Sequence, residues 1–305
     1  MTRPQHAWVE VDLDALEHNI SVLKHRAGRA AFAAVVKANG YGLGALAMAE
    51  SAMAVGAERV CVYNLDEAAF LRAREFKPPI LVMGHVPAAD AEWALDLDVS
   101  LVVTQPDAIA ALARAATARR VSLPLHVKVD TGMFRLGAAS EAAIALAEAV
   151  RAQSSLELEG FCTHFPSADG PDPADTENRF RRFQELAERV GATLRHVAGT
   201  ATVLRFPQMS LDMVRVGAGL YGIAPGLTGP PEARGLKAVM SWKAFVVQTH
   251  DVPAGDAVSY GGTWTAPRDS RVGVVATGYA DGFRRSLGNR GFVLVKGARA
   301  PVVGA

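Results

Sequence analysis

The chain has 305 residues, half of them hydrophobic, with 32 lysines and arginines against 31 aspartates and glutamates. That is enough chain for one large domain with an appendage, or for two domains, and enough apolar content for a sizeable core. A net charge of +1 argues against the basic footprint of a nucleic-acid or membrane-surface partner.

Met1–Trp8 lacks the apolar core of a signal peptide, and no apolar run reaches membrane-spanning length, so the expected location is cytoplasmic. Residues 1–12 then carry a strand-like stretch, Ala7–Asp12, expected to pair with a β-domain later in the chain. A helical period follows over Leu13–Ala27.

From residue 30 to about 217, apolar runs alternate with alanine-rich amphipathic stretches. The runs predict strands at 32–37, 59–63, 80–84, 99–103, 123–130, 156–164, 194–198 and 211–216. Helical periods lie between them at 43–55, 65–76, 106–118, 140–152 and 175–190. Eight β/α units with short connections predict an α/β fold, a (β/α)₈ TIM barrel over residues 13–222. A doubly wound open sheet is the alternative, but no Gly-x-Gly-x-x-Gly follows the first barrel strand.

Residues 224–231 read as a linker, being rich in Pro and Gly. Residues 236–305 lose the helical period and show short runs at 239–251, 256–259, 271–277 and 292–296, the pattern of a mainly antiparallel β-domain. The hairpin pattern over 293–305 stops before its sheet would be complete, which predicts a truncated domain or an edge borrowed from a partner. The two cysteines, Cys61 and Cys162, each lie in an apolar run and read as inert core residues. No spacing suggests metal ligands.

Active sites of such barrels lie at the C-terminal ends of the strands. There the sequence places Lys37, Lys128 with Asp130, Arg135 in the loop after strand five, Thr163–His164, Gly199–Thr200, and Arg215 followed by Gly217-Ala218-Gly219. A lysine at a strand mouth could simply snorkel to water. If desolvated, its lowered pKa makes it a usable nucleophile or base. The glycines after strands seven and eight would let backbone amides approach a phosphate, with Thr200 adding a hydroxyl. A reactive lysine opposite a phosphate cradle fits pyridoxal 5'-phosphate, whose aldehyde condenses with an amine. A sugar-phosphate aldolase is the competing barrel reading.

The stretch Ala34-Val35-Val36-Lys37-Ala38-Asn39-Gly40-Tyr41-Gly42 resembles the pyridoxal-phosphate attachment signature of alanine racemases. Further strings match that family in order: Lys128–Gly137, Thr163-His164-Phe165, Met213–Gly217 with Leu220-Tyr221-Gly222, Val258-Ser259-Tyr260-Gly261, and Gly278–Gly282. The resemblance runs from Trp8 to the end of the chain.

It implies interconversion of L- and D-alanine by two-base proton transfer, supplying D-alanine for peptidoglycan. Lys37 is implied as the Schiff-base lysine and one acid/base group, and Tyr260, from the other subunit of a homodimer, as the second. Tyr41, Thr200 and the amides near Gly217 and Ala218 are implied at the phosphate, and His164 against the ring, fixing Tyr260. Arg215 is implied at the pyridine nitrogen. Because arginine keeps its proton, that nitrogen would stay unprotonated and the ring a weaker electron sink, which favours racemisation over transamination. Arg135 is implied at the phenolic oxygen and the substrate carboxylate, with Lys128 (carbamylated at its counterpart in some relatives) positioning it, and Tyr279 at the entrance.

Taken singly, His164 could be a core histidine, Tyr260 a hairpin aromatic and Asp281 a turn residue. Arg284 and Arg285 read as a solvated face. The chain departs from the family pattern where an asparagine–serine pair is replaced by Gly199-Thr200, expected to loosen the phosphate site. It also departs at its end, where a methionine–aspartate loop and a late tyrosine would follow, so weaker cofactor retention and impaired activity are expected. Alternatives are a broader-specificity or serine racemase, a non-catalytic pyridoxal-phosphate-binding protein or inactive racemase, and a decarboxylase, which Arg215 disfavours.

Overall fold

The computed structural model describes residues 6–224, 233 and 235–304. The stretch expected as a linker lies outside these from residue 225 to 231. The described chain divides into two units, one comprising residues 11–239 and the other residues up to 10 together with those from 240 onward.

The larger unit is an eight-stranded parallel sheet with helices between the strands. In chain order after helix α1 (Leu13–Ala27) come β2 (Ala31–Val35), the short turn α2 (Lys37–Tyr41), α3 (Ala45–Ala54), β3 (Arg59–Val62), α4 (Leu65–Arg72) and β4 (Ile80–Val82). Then follow α5 (Ala91–Asp96), β5 (Ser100–Val103), α6 (Ile109–Arg119), β6 (Leu123–Lys128), α7 (Ser140–Arg151) and β7 (Leu156–Cys162). The unit ends with α8 (Pro173–Val190), β8 (Leu194–His196), α9 (Thr200–Arg205) and β9 (Met213–Val216).

The ladder runs β8-β7-β6-β5-β4-β3-β2-β9. Between β9 and β8 the last seam is drawn together by single bonds, Asp212 N–H to the Arg195 carbonyl at 3.1 Å and Arg215 N–H to the Ala198 carbonyl at 2.9 Å. The expected (β/α)₈ barrel is the fold observed.

Both faces of the strands are covered, which is why they read as unbroken apolar runs. Phe32, Ala34 and Val36 pack outward on Leu16, Ile20 and Leu23 of α1, while Ala33, Val35, Cys61, Leu81, Val102 and Met213 form a smaller cluster of their own. Asp12 caps α1 by accepting from Ala15 N–H at 2.9 Å, and Gly28 at φ 68° ends it. Buried Asn19 donates to the carbonyls of Leu220 (3.0 Å) and Lys237 (2.8 Å) and accepts from Lys237 N–H (2.7 Å), so α1 and the extended segment at Lys237 are stitched together within this unit.

The strands are shorter than the apolar runs suggested. β2 stops at Val35, because the chain turns left-handed three residues later at Ala38, and Lys37 therefore stands beyond the strand rather than at its end. Helices α5 and α9 were not expected; each has six residues, too few to show a helical period.

In the other unit, β1 (Ala7–Val11) pairs with β10 (Met240–Ala244), and β11 (Val246–Val252) pairs antiparallel with β14 (Ser270–Val275). Two small antiparallel pairs complete it: β12 (Ala257–Val258) with β13 (Trp264–Thr265), and β15 (Phe292–Val295) with β16 (Ala298–Pro301). The run expected as one strand over 239–251 is thus two, broken at Phe245, whose ring meets Trp8 at 5.2 Å between centroids. The β15–β16 turn places Lys296 and Gly297 both at positive φ, the geometry that suits the twist of a two-residue hairpin. Among the described residues, no helix is long and apolar enough to cross a membrane.

Candidate active site at the barrel rim

Lys37 opens a turn in which Ala38, Asn39, Gly40 and Tyr41 all stand in the left-handed region, at φ 52°, 53°, 62° and 55°. Three of these residues are not glycine, and such a conformation costs a residue with a Cβ about 1–2 kcal/mol. The turn survives because its surroundings over-determine it. Glu67 of α4 accepts from Ala38 N–H and Tyr63 N–H, both at 2.7 Å. Asn39 accepts from Ala45 N–H at 3.0 Å, and Gly44 N–H donates to the Asn39 carbonyl at 2.8 Å. The Tyr41 ring packs on Tyr221 at 4.6 Å, and the Tyr221 hydroxyl donates to the Val35 carbonyl at 3.1 Å. Lys37 itself is half-buried.

Beside that turn, after the neighbouring strand β9, glycines are enforced by close approach. A Cβ on Gly217 would fall 2.4 Å from the Tyr41 hydroxyl, and one on Gly219 would fall 2.7 Å from Cγ2 of Thr200. Buried Thr200 accepts from Gly219 N–H at 3.1 Å. The segments after β2, β8 and β9 therefore meet around Tyr41, Thr200, Gly217, Ala218 and Gly219. Burial raises the Tyr41 phenol above the ordinary tyrosine range. Gly199, where the family pattern has an amide side chain, comes so close to His164 that a Cβ there would sit 2.9 Å from the imidazole Cε1. The departure at this position thus has a local partner, and Thr200 keeps its bond to the loop after β9.

Arg215, 9% exposed, donates to His196 Nδ1, to the His196 carbonyl at 2.9 Å and to the Thr163 carbonyl at 2.7 Å. Three of the five N–H groups of its guanidinium are used in this way. The Thr163 hydroxyl donates to the Val129 carbonyl at 2.8 Å and meets Thr131 at 2.9 Å, which ties the mouths of β6 and β7 together.

Burial, with the Arg215, Lys128, Arg135 and Lys37 charges around it, pushes His164 down to about 3, so its imidazole is neutral. That set of causes places Lys37, Lys128, Arg135, His164 and Arg215 in one electrostatic neighbourhood. Burial also lowers the Lys128 amine below its ordinary value, helped by Arg215 and Arg135. Arg135 is exposed on a loop held by Asp130, which accepts from Gly132 N–H (2.6 Å) and Met133 N–H (2.9 Å), and by Arg179, which donates to the Thr131 carbonyl.

The structure thus brings nine of the expected site residues to one rim: Lys37, Tyr41, Lys128, Arg135, His164, Thr200, Arg215, Gly217 and Ala218. Tyr260 and Tyr279 belong to the other unit. Tyr260, 87% exposed, follows Ser259 at φ 69° and opens a short turn between β12 and β13. Tyr279, 56% exposed, opens a turn in which Asp281 accepts from Gly278 N–H at 2.9 Å.

A group that sequence reasoning missed lies beneath the rim. Glu159 sits at a register shift where Leu125 pairs with Leu158 but His126 pairs with Gly160. The extra residue re-aims one side chain, as bulges do. Its carboxylate accepts from Ser100 (2.8 Å), from His126 Nε2 (2.7 Å) and from both ends of the Arg59 guanidinium. His126 Nδ1 meets His196 Nε2 at 2.8 Å, and His196 meets Arg215. The available signal was parity, since Arg59 stands two residues before interior Cys61 and His126 two before Lys128.

The family model described as "Alanine racemase, N-terminal domain" matches residues 11–225, and "Alanine racemase, C-terminal domain" matches 239–305. An alanine racemase of Desulfosudis oleivorans is 41% identical over 98% of this chain and 80% of its own length. One of Desulforamulus reducens is 40% identical over 97% of this chain and 82% of its own. Among solved structures, the alanine racemase of Streptomyces coelicolor superposes with a TM-score of 0.89 at 34% identity, covering 98% of this chain and 82% of that one. A histidine racemase of Leuconostoc mesenteroides superposes at 0.88 with 29% identity, covering 99% and 82%. The left-handed lysine turn, the glycine-lined rim and these likenesses together establish that the chain belongs to the alanine racemase family of isomerases.

Proposed function

We propose that this protein interconverts L- and D-alanine with pyridoxal 5'-phosphate, using one proton-transfer group on each face of the substrate Cα. The observation that carries this reading is the rim itself. Gly217 and Gly219 stand so close to Tyr41 and Thr200 that only bare backbone fits, and the same rim holds both Lys37 and a buried, permanently charged arginine. Backbone amides, a hydroxyl and a phenol are the donors a phosphate monoester takes, and Arg215 retains N–H groups for a ring nitrogen. The residues present fit that cofactor.

When bound, pyridoxal phosphate supplies a conjugated electron sink that acidifies the substrate Cα proton. Lys37 would hold the cofactor at its aldehyde carbon and would accept or return a proton on one face of the substrate Cα. Tyr260 would do the same on the other face, and as it lies in the smaller unit we propose that it comes from a second copy, making the enzyme a homodimer with shared sites. Arg215 would donate to the ring nitrogen without giving up its proton. That limits how far the ring can draw electrons and favours quick return of the proton to Cα. Neutral His164 would accept a hydrogen bond from Tyr260. Arg135, with Lys128 behind it, would orient the substrate carboxylate, and Tyr279 would line the entrance. The same proposal gives the enzyme a cytoplasmic role, supplying D-alanine for peptidoglycan.

The likeness to a histidine racemase favours one second reading, a racemase with a broader range of amino acids. Both readings are tested by incubating the reconstituted enzyme with single enantiomers in deuterated water and following chirality and Cα exchange. Tyr260→Phe should lose exchange from one alanine enantiomer and keep it from the other. Equal exchange from both would remove Tyr260 from the reaction, and faster turnover of a larger amino acid would favour the broader substrate range.

A further inference from the structure

The barrel interior carries a line of hydrogen bonds that the proposed reaction does not use. It starts at Glu159, whose side chain is 20% exposed, passes through His126 and His196, both fully buried, and ends at Arg215. Its direction can be worked out from chemistry alone. An arginine N–H can only donate, so His196 Nδ1, facing Arg215, must carry a lone pair. Burial holds His196 well below the ordinary histidine range, with Arg215 adding to the effect, so the ring is neutral and its one proton is on Nε2. That proton points at His126 Nδ1, which must in turn accept. Burial lowers His126 as well, despite the opposing pull of Glu159, so its single proton is on Nε2 and points at the Glu159 carboxylate. Arg59 Nη1 also lies 3.3 Å from His126 Nε2, but its N–H is taken by Glu159 at 3.2 Å, so with neutral rings this arrangement satisfies Arg215, His196, His126 and Glu159 together.

We propose that Glu159, His126 and His196 are positioning residues that fix the orientation of the Arg215 guanidinium. Every donor in the line points from cation to anion, so each bond polarises the next and the Glu159 charge is felt at Arg215 through two neutral rings. His196 grips one end of the guanidinium twice, by its ring and by its carbonyl, while Thr163 holds the other end. What remains of the fork is thereby aimed.

Arg59 secures the far end. It pairs with both oxygens of Glu159; burial pushes the carboxylate up, but the His126 bond and the Arg59 pairing outweigh it and hold the carboxylate well below its ordinary range. The local backbone is consistent with this arrangement: a Cβ on Gly160 would fall 2.2 Å from His126 Nδ1, so Gly160 keeps open the space that the imidazole fills. The consequence for the ring nitrogen of the cofactor rests on the function proposed above, whereas the direction of the hydrogen bonds does not.

The test uses the full-length chain in two arms, with two variants that break the line by different routes. Glu159→Gln removes the charge with little change in shape, and Gly160→Ala displaces the His126 ring without touching a titratable group. In the apoprotein, nitrogen-15 NMR of the imidazoles should show both histidines protonated at Nε2, with this pattern lost at His196 in both variants. In protein reconstituted with pyridoxal phosphate labelled at its ring nitrogen, the ring-nitrogen resonance should shift in both variants, and cofactor affinity should fall about tenfold.

A wild-type His196 protonated at Nδ1 overturns the proposal. So does a pair of variants that lose stability yet keep the wild-type imidazole signals and ring-nitrogen resonance. If the wild-type protein takes up no cofactor, the functional reading fails, and the positioning line stands or falls on the imidazole signals alone.

Discussion

Replacing Glu67 by alanine should loosen the turn that presents Lys37. The Glu67 carboxylate takes one bond from the Ala38 amide and one from the Tyr63 amide, each at 2.7 Å. Hydrogen bonds to a charged group contribute about 1.5–3 kcal/mol each when buried. Glu67 is half-buried and water can replace part of what is lost, so the pair contributes about 1.5–3 kcal/mol in all. That is comparable with the strain of about 2–4 kcal/mol that Ala38 and Tyr41 together carry in their left-handed conformations.

Loss of the carboxylate therefore frees the turn as well as lowering global stability. Urea unfolding should show the stability loss. Borohydride trapping of the pyridoxal phosphate adduct should show Lys37 labelled about tenfold more slowly, a factor that corresponds to roughly 1.4 kcal/mol. Adding Ala38→Gly to the Glu67→Ala protein should recover about 1 kcal/mol, since glycine adopts positive φ without the Cβ penalty. A Glu67→Ala protein within about 0.5 kcal/mol of wild type that also labels at the wild-type rate would refute the reasoning.

Gly217→Ala places a methyl group 2.4 Å from the Tyr41 hydroxyl and 3.3 Å from its ring carbon Cζ, so Tyr41 must move off Tyr221. Cofactor affinity, read by fluorescence quenching, should fall by about tenfold or more while the melting transition stays cooperative, because the cradle loses a phenol and gains bulk. Stability should also fall in acid for a defined reason. His126, His164 and His196 are all held below the ordinary histidine value of about 6.5 in the folded protein, mainly by burial. The unfolded chain therefore takes up those protons first: the stabilisation is intact above about pH 6.5 and is lost as pH falls toward the folded values, which for His164 is about 3. His164 and His196 together give a limiting slope of about 2.7 kcal/mol per pH unit, with His126 acting in the same direction, so the urea midpoint should drop steeply between about pH 6.5 and about pH 5. A flat midpoint over that interval would show that the three imidazoles are charged in the folded protein.

The barrel was legible because each strand is covered on both faces and bounded by turn residues, as in the run from Phe32 to Val36 ahead of Lys37. The β/α alternation then leaves few topologies. What was not legible has physical causes. Ala38 and Tyr41 carry no local mark of a left-handed turn; it is imposed by Glu67, 29 residues away from Ala38, by the Asn39 side chain and by Tyr221. The break at Phe245 is set by its pairing with β1 at the opposite end of the chain, where its N–H donates to the His6 carbonyl at 2.9 Å. Glu159 looked like one more polar residue in an alternating strand, and only the register shift against β6 turns it toward His126.

The rim residues could be proposed from sequence because they follow strand ends directly. The line behind Arg215 could not, since His126, Glu159 and His196 lie on three different strands and are joined only by the curvature of the barrel.

The most direct test of the account is to reconstitute the protein with pyridoxal phosphate, reduce it with borohydride and map the modified peptide. The account predicts a visible absorbance band before reduction and a single pyridoxyl group on Lys37 after it, with D-alanine formed from L-alanine before the reductant is added. A protein that stays colourless, or one whose label falls on Lys128 or on a surface lysine such as Lys77 while Lys37 remains free, would contradict it.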